Sequence, residues 1–262
     1  MKLSHALALG ALIAGGCHAA QKSEPECRDG ACADRSEVAQ PVTLTASDGV
    51  KVHGLFYQAR QPKALVLLFH QAGSSKDEYA TIAPRLQQAG YSALAIDQRS
   101  GGSMYGTNET AKAFSRDVRY REARPDLQAA LDWAQQRKLP IILWGSSYSS
   151  ALIFPLAADD PQRIVALLAF SPGEYFEGEP SVRDAAAKVN IPVLVASMNS
   201  REEKDYADPI MAALPKASGN VRLTPEHAVH GSSMLNAARN PEGAEAAWRS
   251  VMAFLDGVTA AK

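Results

Sequence analysis

A chain of 262 residues, 46% hydrophobic and 21% charged, has the length and composition of one globular α/β domain with a full core, and is short for two. Its 27 Lys and Arg against 28 Asp and Glu leave a formal charge of −1. That balance offers no field of one sign to select nucleic acid or an anionic membrane, which leaves a small molecule or peptide as the default partner.

The first segment differs from the rest. A basic start at Lys2, the apolar run Ala6 to Ala14 and a small-residue exit predict a secretory signal over residues 1–19. The run is too short to span a bilayer, which takes roughly twenty apolar residues. Two exits compete. Leu12-Ile13-Ala14-Gly15-Gly16-Cys17 resembles a bacterial lipobox, with Ala14 where such boxes usually carry Leu. That exit would make Cys17 a lipidated anchor in the envelope, whereas cleavage after Ala19 or Ala20 would discard it. Residues 20–40 are polar and non-periodic and read as a tether. Cys27 and Cys32 within it are spaced to close a small disulfide loop in an oxidising periplasm, and no Cys or His cluster predicts a metal site.

From residue 41 the pattern is regular. Val42 to Ala46 and Val50 to Tyr57 alternate apolar and polar about Ser47-Asp48-Gly49, which predicts a hairpin. Ala64 to Phe69 is continuously apolar, as a strand buried on both faces requires. Helical spacing follows over 77–88, then a strand over 91–96 and a second helix over 125–138 opened by Pro125. A short strand at 140–144 leads into a helix from Ser147 to Ala158. Further strands are expected at 164–170, 191–196 and 220–224, and a closing helix over 241–255. The hairpin and repeated strand–helix units predict a single domain over 41–262, built on a doubly wound, mostly parallel sheet.

In such sheets, reactive groups gather beyond the carboxyl ends of the strands. There the sequence reads Gly145-Ser146-Ser147-Tyr148-Ser149, between a buried strand and a helix. A sharp turn at that place exposes a serine beside a helix N-terminus whose free N–H groups stabilise negative charge. Ser147 is the expected nucleophile, with Ser149 standing where the usual elbow has glycine. On such a turn the partners follow in the order serine, acid, histidine.

Only His227 and His230 lie downstream. His230, heading a Gly-Ser-Ser loop, is the expected base. The acid should leave the carboxyl end of the strand at 191–196: Glu202 is first choice and Glu203 the alternative, with Asp205 on the following helix. The oxyanion needs two backbone donors. Tyr148 supplies one, and the loop His70-Gln71-Ala72-Gly73 supplies the other, at Ala72 or, as the alternative, Gln71.

Together the His70–Gly73 loop, Asp97-Gln98-Arg99-Ser100-Gly101-Gly102, the Ser147 turn and His230-Gly231 resemble the α/β-hydrolase superfamily, nearest its dienelactone-hydrolase-like and esterase-like branches. The resemblance implies an α/β-hydrolase fold over nearly all of 41–257. It also implies cleavage of an ester or related acyl bond through an acyl-enzyme without a cofactor, and a structural role for the Asp97–Gly102 stretch. Peptidases, acyltransferases and inactive binding proteins share the fold, so fold alone does not fix the reaction. Roughly twenty residues separate the strand ending at Phe170 from that starting at Ile191, too few for a large lid. Residues 100–122, with Met104, Tyr105, Phe114 and Tyr120, are the expected cover.

Overall fold

The computed structural model describes residues 38–176, 181–216 and 219–260. The expected signal segment, Cys17, Cys27 and Cys32 lie outside the described residues.

Two strands, β1 (Gln40–Thr45) and β2 (Lys51–Tyr57), form the hairpin, and β2 continues antiparallel onto β4 (Tyr91–Ile96). The remaining strands are β3 (Ala64–Phe69), β5 (Ile141–Ser146), β6 (Ile164–Phe170), β7 (Val193–Ala196) and β8 (Val221–Leu223), all parallel to their neighbours. The eight-stranded order is β1-β2-β4-β3-β5-β6-β7-β8. Helices α1 (Ile82–Gln88), α2 (Arg124–Gln135), α3 (Tyr148–Asp159), α4 (Val182–Ala186), α5 (Arg201–Ala213) and α6 (Ala244–Ala260) complete it.

The continuous apolar strands follow from burial on both faces. Leu65, Leu67 and Phe69 pack with Leu127, Leu131 and Leu152 of α2 and α3. Alternate residues Val66 and Leu68 pack with Ile82 of α1 and Trp248 of α6. Because side chains alternate along a strand, neither face can be polar. From β3 the chain crosses to β4 on one side, while β5 lies on the other, so a crevice opens at the carboxyl ends of β3 and β5. Gln71 and Ser147 leave the sheet there.

The expected helix over 77–88 is broken. A 3-10 turn, Lys76–Tyr79, precedes α1. Its two inward side chains explain the break: Tyr79 donates to Phe69 O at 2.6 Å, and Glu78 accepts from Gln71 N at 2.8 Å. Those bonds fix the turn to the end of β3 at the expense of helical continuity. The short α4 fills the interval between β6 and β7, where a large lid was not expected. No helix among the described residues is long and apolar enough to cross a membrane.

Candidate active site

β5 ends at Ser146 and α3 starts at Tyr148, leaving Ser147 between them at φ 56° and ψ −124°. That backbone costs a residue with a Cβ about 1–3 kcal/mol, and bonds on both sides hold it. Ser147 N donates to Phe170 O at 2.8 Å, and Ser150 N donates to Ser147 O at 2.9 Å. Gly145 is obligatory, since a Cβ there would lie 2.4 Å from Ser150 Cα. Ser149, in the usual glycine position, is fully buried and bonded. Its Oγ donates to Phe69 O at 2.6 Å and accepts from Ser146 N at 2.9 Å.

His230 lies at the head of the 3-10 turn Gly231–Leu235. Its Nδ1 donates to Oε1 of Glu203, which fixes the tautomer and leaves Nε2 free to take a proton. Glu202, the first choice from sequence, is exposed and makes no part of this contact. The correction has a geometric cause. Both residues belong to the first turn of α5, capped by Ser200, and each helical step rotates a side chain by about 100°. Only Glu203 faces inward. Burial acts to raise its carboxyl, but the bonds from His230 and Ser171 outweigh it and hold the group below the usual carboxylate range. Asp205 is exposed on α5, and His227 pairs with Glu242 at 3.2 Å, away from this contact.

Ser146 and Ser171 were not singled out from sequence. Ser232 N donates to Ser146 Oγ at 2.9 Å, and Gly231 N donates to Ser171 Oγ at 2.9 Å. Gly231, at φ 65°, would bring a Cβ to 2.6 Å from Ser146 Oγ. The histidine loop is thus stitched to the carboxyl ends of β5 and β6. The available signal was only a small polar residue after each buried strand. Ser147 Oγ makes no hydrogen bond to His230 among the described residues. It neighbours the Tyr175 phenol, which burial pushes up to about 12 against an opposing effect of the Ser147 hydroxyl.

Beyond β3, the Gln71 N–H is committed to Glu78, so Gln71 cannot also offer it to an oxyanion. Ala72 N has no hydrogen-bond partner among the described residues, and Tyr148 N, first in α3, has no intrahelical acceptor. His70 is structural. Its Nδ1 donates to Gln71 O at 2.8 Å, its Nε2 accepts from Gln98 N at 2.9 Å, and burial lowers its pKa to about 4.

The Asp97–Gly102 stretch is likewise bonded into the frame. Asp97 accepts from Lys76 N at 2.8 Å and from Glu109 N at 2.8 Å. Arg99 donates to buried Asp126 at 2.7 Å and to Asp48. Several residues of 100–122, the expected cover, line cavities. Tyr120 stacks on Tyr148 with centroids 4.4 Å apart and shares with Val118, Arg121, Tyr175 and Phe176 a cavity of 560 Å³. Met104 and Tyr105 line a second cavity of 290 Å³ with Gln71, His230, Ser233 and Arg239. Phe114 lies under the Arg99 guanidinium, 5.6 Å away, and lines with Gly73, Ser100 and Tyr120 a further cavity of 820 Å³. Among the described residues no group of three or more His, Cys, Asp or Glu is placed to hold a metal ion.

A family model described as serine aminopeptidase, S33, matches residues 60–205. No curated protein matches the chain. Among solved structures, dienelactone hydrolase from Anabaena variabilis is similar at 20% identity and a TM-score of 0.61, covering 77% of this chain and 93% of its own. A carboxyl esterase from Bacillus coagulans shares 14% identity at a TM-score of 0.66, over 84% of this chain and 99% of its own. Est1E from Butyrivibrio proteoclasticus, with ferulic acid bound, shares 17% at 0.63, over 84% and 99%. Identities this low speak for a common fold alone.

Proposed function

The chain belongs to the serine aminopeptidase (S33) family of α/β-hydrolases, and we propose that it is an exported member cleaving an ester or related acyl bond by way of Ser147, His230 and Glu203. The observation that carries this reading is Ser147 itself, held at φ 56° on the turn between β5 and α3. The strained backbone, held by hydrogen bonds on both sides, stands where a serine nucleophile sits on a strand-to-helix turn.

The steps follow from the residues. Ser147 Oγ attacks the acyl carbonyl while His230 Nε2 takes its proton. Glu203 holds the ring and stabilises the imidazolium that forms. Negative charge on the carbonyl oxygen is met by the N–H groups of Ala72 and Tyr148. The imidazolium then protonates the leaving group, and water admitted to the same base hydrolyses the acyl-enzyme. The missing Ser147–His230 bond in the free protein is compatible with this order, because such bonds often tighten only around substrate.

The cavity beside Tyr120, Tyr175 and Phe176, 560 Å³ in volume, suits a small to medium acyl or leaving group with apolar surface. The family's description favours a peptidase as the second reading. Export rests on the Lys2–Ala14 pattern, with Cys17 as the lipid anchor if the lipobox is used.

Labelling with a fluorophosphonate probe tests the nucleophile. Parent protein should label, and Ser147→Ala and His230→Ala should not. Label retained in Ser147→Ala would overturn the assignment, and an unlabelled parent would favour a binding protein. Nitrophenyl esters of increasing chain length, run beside aminoacyl anilides, separate esterase from peptidase.

A further inference from the structure

Glu78 is a buried carboxyl that the triad chemistry leaves unused. It is 2% exposed, on the 3-10 turn between β3 and α1. Oε2 accepts the Gln71 N–H at 2.8 Å, while Oε1 has no hydrogen-bond partner among the described residues. The hydroxyls of Ser146 and Ser74 neighbour the group. The titratable groups facing it are Tyr79 on its own turn, Tyr148 from α3 and His230 from its loop. None is a permanent cation. A buried carboxyl with one oxygen unsatisfied is costly, and this one touches the oxyanion loop and adjoins the serine turn and the histidine.

Resting on the serine-hydrolase reading above, we propose that Glu78 is a positioning residue of the reaction. As a carboxylate it holds the Gln71 N–H, so directing the next amide, that of Ala72, toward the acyl oxygen on Ser147, and it steadies the charge that His230 acquires. The negative charge makes it the stronger acceptor of the two forms. Burial pushes the group up to about 7, against the Gln71 N–H, the two hydroxyls and His230. Catalysis then depends on a second ionisation besides that of the base.

The test compares parent with Glu78→Gln, which keeps a neutral acceptor of the same reach. Ester hydrolysis and fluorophosphonate labelling are followed from about pH 5.5 to about pH 8.5. The two proteins should agree within about twofold at the acid end and differ by about tenfold or more at the alkaline end, in kcat more than KM. A merely structural role would give a deficit independent of pH, and that result would overturn the proposal. A parent that never labels defeats the hydrolase reading itself, a separate failure. Infrared titration of the parent reads Glu78 without needing activity or a folded variant. A carboxylic-acid band vanishing near pH 7 supports the proposal; carboxyl groups all ionised by about pH 5.5 overturn it.

Discussion

The backbone N–H of Ser232 donates to Ser146 Oγ at 2.9 Å, so the chain just after His230 is tied to the residue just before Ser147. His230 and Ser147 come from segments far apart in sequence, and this bond ties their two loops together over the sheet. Ser146→Ala leaves a buried N–H unpaired, at a cost of about 1–3 kcal/mol. The expected outcome is a lower Tm and a kcat reduced about tenfold, with KM little changed, because misplacement weakens the transition state more than binding. Steady-state kinetics beside thermal unfolding check it.

The two neighbouring glutamates should separate cleanly. Glu203→Gln removes the charge that orients and supports His230, and kcat should fall on the order of a thousandfold. Glu202→Gln alters an exposed side chain and should stay within about twofold of parent. Equal losses at the two positions would contradict the geometry of α5.

Restoring the usual glycine at the serine turn should be harmful here. Ser149 Oγ bridges Ser146 N and Phe69 O, joining β3 to the elbow. In Ser149→Gly the buried Ser146 N–H loses its acceptor, for a loss of about 1–2 kcal/mol in chemical denaturation. Faster loss of the capacity to be labelled after incubation at elevated temperature should accompany it.

Two buried groups give opposite pH responses. His70 falls from 6.5 to about 4, so its stabilisation is present above pH 6.5 and lost as pH drops through about 4. Glu78 rises from 4.5 to about 7, so its stabilisation is present below pH 4.5 and lost as pH climbs through about 7. Each is on the order of 3 kcal/mol, and where the two ranges overlap, between about pH 4.5 and pH 6.5, their opposite slopes largely offset one another. Thermal unfolding of Glu78→Gln should therefore uncover an acid sensitivity between about pH 6.5 and pH 4 that the parent masks. An unchanged pH profile would show that the two groups are not coupled to folding in this way.

Much was legible in the chain itself. Strands β3 and β4 were delimited to the residue, because burial on both faces forces an unbroken apolar run and Phe69 and Ile96 end it. The place of Ser147 on the turn from β5 to α3 was legible for a similar reason: small residues between a buried strand and a helical pattern mark a tight connection. His230 followed from chain order, with only His227 as its rival.

Other decisions belonged to the tertiary structure. Glu202 and Glu203 are equivalent in composition and neighbourhood, and only the rotation fixed by the Ser200 cap turns the second toward His230. Gln71 and Ala72 are alike as amide donors until Glu78, seven residues on, takes the first of them. That choice also broke the helix expected over 77–88, since a side chain drawn inward to a backbone amide cannot be anticipated from helical spacing. Local periodicity records which face is buried. Which buried atoms meet depends on segments brought together from across the sheet.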